Sequence, residues 1–476
     1  MDVNTSPRVI RLVPAQRHDA EGRAHVDYRS VIALAWPFML NSSVQAVLNL
    51  TDTWFIGHIS TQATAAMAAV YWLVLVFVLL LGGVGIAVQT LVAHAYGAHR
   101  HARAAQAEWT AQWGALLTTP LFLAVAFAGP WMLRPFALDP DVERLALEFW
   151  MPRVACAPIG VALWAALGFF NGISRPHITV TITALVAVLN AVFNQIFIFE
   201  LDMGVAGSAW GTNVAQFAGW AVALAIFMGP KLDATFRSRL VWRWRPRLIL
   251  RQTALGFPMG LLYAADLLGI AIFQIMTVRL SSVDGAATQI VMMLTSIAYL
   301  PAVGIAMTGT TLVGQSIGAG DREWAMRVGN VTIALSVTYM AFIGVFLALV
   351  GPWLLPWFLN PQDPQTAQVV ALGRWLVWIA AGYQIFDGLN LGSGLALRGA
   401  GDATVPAAMV IVLSWFVFVP AAHSLAFAPG QGYVDFLPQF GWGAVGGWLA
   451  ALLYVFGLGT VLYLRWRSAA WQKIRL

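Results

Sequence analysis

Apolar stretches of about 20 residues or more recur from one end of the chain to the other, and each is long enough to cross a hydrocarbon core of ~30 Å. Twelve such spans fall near residues 31–57, 64–96, 112–134, 145–170, 177–200, 205–229, 252–279, 286–317, 325–358, 367–397, 404–427 and 441–464. The expected fold is an all-α membrane protein of twelve transmembrane helices. With 59% hydrophobic and 10% charged residues among 476, the chain lies far from the roughly 25% charged content of soluble domains.

An even number of spans puts both termini on one side, and the loops on that side should carry the Lys/Arg excess. The N-terminal head (Arg8, Arg11, Arg17, Arg23, Arg29), the tail and the loops after spans 2, 4, 6, 8 and 10 hold 22 of the 27 basic residues. The other five (Arg134, Arg144, Arg153, Arg279, Arg374) are expected to flank spans on the opposite side, among acids such as Asp139, Asp141, Asp284 and Asp363. Both termini are therefore expected in the cytoplasm. The head has no 7–15-residue apolar core, so no cleaved signal peptide is expected. The +6 net charge sits between spans, which makes it a topology signal and gives no reason to expect nucleic acid.

The chain repeats itself. Pro37 pairs with Pro258, Thr90-Leu91-Val92 with Thr311-Leu312-Val313 and Gly97-Ala98 with Gly318-Ala319, all at an offset of 221. Gly172 in FNGISRP matches Gly399 in LRGAGDA at 227. The expected organisation is a cytoplasmic segment (1–30), an N-lobe of helices 1–6 (31–229), a basic linker (230–251), a C-lobe of helices 7–12 (252–464) and a tail (465–476). Two six-span copies enter the membrane with the same orientation and are expected to be related by a pseudo-two-fold axis along the membrane normal. They would rock around a central cavity.

Carboxylates at mid-bilayer cost at least ~2.5–3.5 kcal/mol on insertion scales and mark function by default. Asp52, Asp266 and Asp387 stand in spans 1, 7 and 10. Asn41, Gln45, Asn49 and Asp52 follow steps of four, four and three, which places them on one helix face. Asn190 and Asn194, one turn apart on span 5, can reach the same point as Asp52; taken alone, two such asparagines are more often interhelical glue. In the second half Tyr263 and Asp266 are three apart on span 7, and Gln384, Asp387, Asn390 and Ser393 step by three on span 10. If spans 7 and 10 face one another, two carboxylates share a low-dielectric site and need a proton or a cation between them. The bland alternative is a buried structural pair. Pro37 and Pro258 interrupt the hydrogen bonding of their helices and are hinge candidates, although static kinks are commoner.

Other chemistries find little support. Cys156 is the only cysteine; His94, His99 and His101 lack metal-site spacing; no P-loop or nucleophile elbow occurs. Tyr71, Trp72 and Tyr383 are aromatic candidates for a cavity wall, where ring faces attract cations.

The stretches PFMLNSSVQAVLNLTDTWFIGHIS, TLVAHAYGA, FPMGLLYAAD, TLVGQSIGAGD and YQIFDGLNLGSGLALRGAGDA together resemble the multidrug and toxic compound extrusion (MATE) family, bacterial type, from Ala33 to the C-terminus. The resemblance implies a two-lobed exporter in a bacterial inner membrane, with no cofactor, that exchanges small organic and often cationic compounds for inward H⁺ or Na⁺. By position Asp52 looks like the family's N-lobe acid, with Asn190 and Asn194 beside it, and Asp266 and Asp387 look like the C-lobe pair; Na⁺ would sit at either set. Span 7 has Asp where many relatives have Glu, and Asn194 stands where some archaeal members have Asp. Two rivals are a lipid-linked oligosaccharide flippase, which needs cavity cations whereas Arg and Lys here avoid mid-span positions, and a membrane-embedded transferase, whose one faint motif is Asp139–Asp141. A monomer that is not an enzyme is expected.

Overall fold

In the computed structural model, which describes residues 13–134, 139–359 and 364–474, the chain is helical almost throughout. Eight unbroken helices and four bent pairs are long and apolar enough to cross a membrane, twelve spans if each pair counts once. Arg8, Arg11 and Asp363 lie outside the described residues.

Spans 1, 3, 5 and 6 contain the helices Tyr28–Gly57, His101–Phe127, Pro176–Asn194 and Gly204–Phe227. Span 2 is bent by 61° between Val70–Leu81 and Gly83–Gly97, and span 4 by 47° between Pro140–Ala155 and Ala157–Gly172. In the second half, spans 7 to 10 are Pro246–Leu280, Ser282–Gly318, Arg322–Leu354 and Thr366–Gly399. Span 11 runs from Thr404 to Ala426 with a π-helical turn at Leu413–Phe418, and span 12 is Gly443–Arg467. Span 5 ends in a matching π-helical turn, Gln195–Glu200.

Three boundaries differ from the sequence reading. Span 3 begins at His101, eleven residues before the expected 112, because His, Arg and Glu near its start hide an Ala-rich helical run. Within the linker, Pro230–Phe236 is a helix at 59° to span 6, and span 7 begins at Pro246. The head carries a two-stranded hairpin, Gln16–His18 with Ala24–Val26.

Local signals repeat at the same offset as the sequence. Ser60 and Ser281, 221 apart, cap spans 2 and 8, each hydroxyl accepting from the backbone N–H three residues on, which satisfies a donor the helix start leaves orphaned. Both termini pack at one end: Trp324 Nε1 donates to the Pro14 carbonyl (2.9 Å) and Trp466 Nε1 to Asn330 Oδ1 (2.9 Å). The basic loops share that end.

The two halves meet there through contacts that swap partners between copies. Thr90 Oγ1 donates to the Arg398 carbonyl (3.0 Å), and its repeat mate Thr311 donates to the carbonyl of Asn171, the repeat mate of Arg398 (3.1 Å). His94 Nε2 donates to the Gly399 carbonyl (2.8 Å), while Gln315, 221 residues on, donates to the Gly172 carbonyl (2.8 Å). A side chain at Gly97 would strike the Gln315 carbonyl, and one at Gly318 the His94 carbonyl. Reciprocal contacts of this kind are what an isologous interface requires. The core divides accordingly, with one large apolar cluster from Phe273 to Trp471 in the second half and two clusters within 56–236 in the first.

Candidate functional site

The acids predicted from sequence fall into two separate clusters, one in each half. Span 1 passes along span 5, so Asp52 meets the two asparagines: Asn194 Nδ2 donates to Asp52 Oδ1 at 2.7 Å and lies 3.3 Å from Asn190 Oδ1. Asn190 Nδ2 donates to Thr212 Oγ1 on span 6 (3.1 Å). Both asparagines are fully buried, whereas Asp52 is half-buried. The four-residue step in span 5 is what aims both amides at one carboxylate. Gln45 is half-buried and Asn49 exposed on the same helix; no hydrogen bond of their side chains to Asp52 is formed among the described residues.

In the second half Tyr454 of span 12 donates to Asp266 Oδ1 at 2.6 Å. Asn390 Nδ2 donates to Asp387 Oδ1 at 3.3 Å, one turn along span 10. A cavity is lined by Tyr263, Asp266, Tyr299, Asn390, Arg398 and Asp402. Spans 7 and 10 thus bring Tyr263, Asp266 and Asn390 to one space, which Asp387 reaches through Asn390. The Tyr383 ring lies parallel to that of Trp448, with centroids 6.2 Å apart.

Several expectations need correction. Gln384 is not part of this cavity: it is buried with both amide atoms unpartnered, its side chain against Gly344 of span 9. The three-residue step drifts around the helix, so Gln384 and Asn390 do not share a face. Pro37 and Pro258 sit inside helices unbroken along their length, and the bends above 40° among the described residues lie at Gly82, at Cys156, between Ile297 and Tyr299 and between Phe227 and Pro230. The Asp139–Asp141 motif caps a helix, Asp139 accepting from the Asp141 N–H (3.0 Å). His94, set aside as a metal ligand, joins the two halves through the Gly399 carbonyl.

The largest correction concerns arginine. Arg153 does not flank span 4; it stands thirteen residues into the helix Pro140–Ala155, about 20 Å along it. Its Nη1 lies 3.3 Å from both Asn213 Oδ1 and Gln216 Oε1 of span 6. Arg398 lies at the end of span 10 but points inward. Its Nη1 lies 3.4 Å from the Tyr263 hydroxyl, while Nη2 donates to the Ile86 carbonyl (3.2 Å) and Gln89 Oε1 (3.1 Å) of the first half. Asp402, buried, pairs with Arg465 Nε at 2.8 Å. Glu108 on span 3 also escapes the sequence reading; it is fully buried, accepts from Gln112 Nε2 (2.6 Å) and leaves Oε2 unpartnered. Glu108 and Arg398 sit just outside the spans read from hydropathy, and Arg153 lies within span 4.

Comparison with known proteins adds a second line of argument. The MatE family profile matches residues 37–196 and 258–422. The chain is 29% identical over 466 residues to a protein of Pseudomonas syringae pv. tomato named "Probable multidrug resistance protein NorM", covering 92% of this chain and 95% of that one. A protein of the same name from Burkholderia pseudomallei is 30% identical over 84% of this chain and 86% of its own. Among solved structures, an outward-facing multidrug resistance MATE family transporter of the MOP superfamily aligns with a TM-score of 0.82 at 18% identity, covering 93% of this chain and 96% of the other. A MOP superfamily transporter from Pyrococcus furiosus, described as having a binding pocket of reverse polarity, gives 0.80 at 18% identity, over 93% of this chain and 96% of its own.

Proposed function

This chain belongs to the MatE family, and from that premise we propose that it is a secondary active multidrug exporter that antiports small organic cations against inward H⁺ or Na⁺. The observation that carries the proposal is a cavity lined by Asp266 and by Asn390, whose amide is hydrogen-bonded to Asp387. Two carboxylates in low dielectric repel, so a proton, a metal cation or an organic cation relieves them, and these ligands compete. Asp52 with Asn190 and Asn194 offers a second polar centre.

The exchange follows from that competition. H⁺ or Na⁺ arriving from the side opposite the termini displaces the organic cation. The ion-loaded protein rocks, releases the ion into the cytoplasm, and the bare acids take the next substrate. Ion and substrate must favour different states, since equal affinity for both shifts nothing. The chain works in the bacterial inner membrane as a monomer, with both termini in the cytoplasm and no cofactor.

A flippase reading gains from Arg153 and Arg398, since a pyrophosphate needs cations. Arg398 is committed to the seal between halves, however, and Arg153 to two amide oxygens, so the export reading stands ahead. A transferase reading loses its candidate motif to helix capping.

The test is efflux of an ethidium-like cation from intact cells carrying Asp52→Asn, Asp266→Asn or Asp387→Asn at matched expression. At least tenfold slower efflux is expected for Asp266→Asn or Asp387→Asn. Wild-type rates in all three would remove the acids from the mechanism.

A further inference from the structure

The linker between the halves is fastened to the first half along its length. Trp109 and Trp113, one turn apart on span 3, donate from Nε1 to the carbonyls of Ser238 (2.7 Å) and Trp242 (2.9 Å). The Trp113 ring also meets that of Trp244 edge-on, with centroids 5.6 Å apart. Arg245 Nη1 lies 2.9 Å from the side-chain amide of Gln106 on the same helix, and Arg239 Nε donates to the Met228 carbonyl (2.8 Å) at the end of span 6. Residues 238–245 are thereby laid against the terminus-bearing end of span 3.

What this segment turns outward is basic and aromatic. Lys231, Arg237, Arg243, Arg247 and Arg251 are exposed and form no hydrogen bond or ion pair among the described residues. Asp233 is the one acid in the stretch 231–251, and it folds back onto the backbone N–H of Arg239 (2.9 Å). Trp242 and Trp244 are 53% and 47% exposed. One turn beyond Trp113 on span 3, Leu116 and Leu117 are exposed as well, so the segment lies where an apolar outer surface gives way to a basic one. Arg247 and Arg251, one turn apart with exposed Leu250 beside them, continue that boundary onto the start of span 7, which packs against span 3. Indole rings at the edge of an apolar band with guanidinium groups beyond them suit the level of the lipid headgroups. Orienting a chain in the membrane needs only the charge; it does not need the linker pinned to a helix with two tryptophans turned outward.

We propose that the linker is a binding site for anionic phospholipid, with the phosphate held by Arg243, Arg247 and Arg251 and the glycerol and upper acyl chain against Trp242 and Trp244. A guanidinium matches phosphate oxygens bidentately, and basic segments next to a span attract anionic headgroups. The lipid belongs to the leaflet on the side of the termini, cytoplasmic in the reading above; the inference rests on that reading at this point alone.

The experiment is native mass spectrometry of the purified full-length protein in neutral detergent, titrated with phosphatidylglycerol or phosphatidylcholine. The first phosphatidylglycerol should bind at least fivefold more tightly than the first phosphatidylcholine. Arg243→Gln/Arg247→Gln/Arg251→Gln should cut that preference below twofold, and Arg243→Gln alone should at least halve it if the triple variant does not fold. Trp242→Ala/Trp244→Ala should weaken both lipids to the same extent. Arg322→Gln/Arg467→Gln/Lys473→Gln, which removes equal charge at the same end of the molecule, should keep the preference, and millimolar inorganic phosphate should not displace the lipid. Equal binding of the two lipids by wild type, a preference that survives the linker variants, an equal loss in the control variant, or displacement by inorganic phosphate would overturn the proposal. Lipid binding is measured without transport, so its failure is distinct from failure of the export reading.

Discussion

Asp266 receives the Tyr454 hydroxyl at 2.6 Å, and a hydrogen bond to a charged group contributes ~1.5–3 kcal/mol. Removing it leaves the carboxylate in greater need of a cation. Tyr454→Phe should therefore tighten binding of the coupling ion by about tenfold, since each 1.36 kcal/mol is a factor of ten, and slow turnover; ion titration of transport checks this, and unchanged ion affinity would detach Tyr454 from the site. Glu108 makes a contrasting case: it is buried among spans 3, 4 and 6, bonded only to Gln112. Glu108→Gln should leave efflux within about twofold of wild type and the melting temperature no lower, because an amide replaces a buried acid without its charge cost.

At the same scale, the residues legible in sequence are those whose helical spacing aims them at one point. Asn190 and Asn194 follow that rule and meet Asp52. Gln384 shows its limit, since steps of three lag behind 3.6 residues per turn and rotate away from the starting face. Arg398 and Glu108 escape because a charged residue near a span edge reads as a solvated flank, and only packing reveals that its side chain turns inward. Tyr454 is invisible because nothing local distinguishes a tyrosine facing an acid from one packed in the core.

Among the elements, the contacts between halves concentrate where spans 2, 8 and 10 end. Arg398 joins that seal to the Asp266 cavity through Tyr263 and to the first half through Gln89 and the Ile86 carbonyl. Arg398→Met should loosen the seal and expose it. Thiol labelling of Ser174→Cys, in a Cys156→Ala background, should be at least fivefold faster when Arg398→Met is added than with Arg398 retained; equal rates would remove Arg398 from the seal. Gly97→Val should act more severely, since its side chain meets the Gln315 backbone and overpacking of this kind costs ~1–3 kcal/mol. The repeat offset of 221 is readable in the sequence, and so are the span count and most boundaries. The bends at Gly82 and Cys156 are not, because a glycine or a lone cysteine inside an apolar run carries no periodic signal, whereas the visible prolines sit in helices that continue past them.

For the whole molecule, the account reduces to two helical halves with a sealed end and carboxylates kept in an apolar interior because cations come and go from them. Linkage makes that claim measurable at equilibrium: if the coupling ion lowers affinity for an organic cation, the organic cation lowers affinity for the ion by the same factor. The direct measurement is the Kd of an ethidium-like cation for purified protein, with H⁺ and Na⁺ varied separately. One of the two ions should weaken binding at least tenfold in the wild type and leave it unchanged in Asp266→Asn/Asp387→Asn. An affinity that ignores both ions in the wild type, or an ion effect that survives in the double variant, would contradict the account.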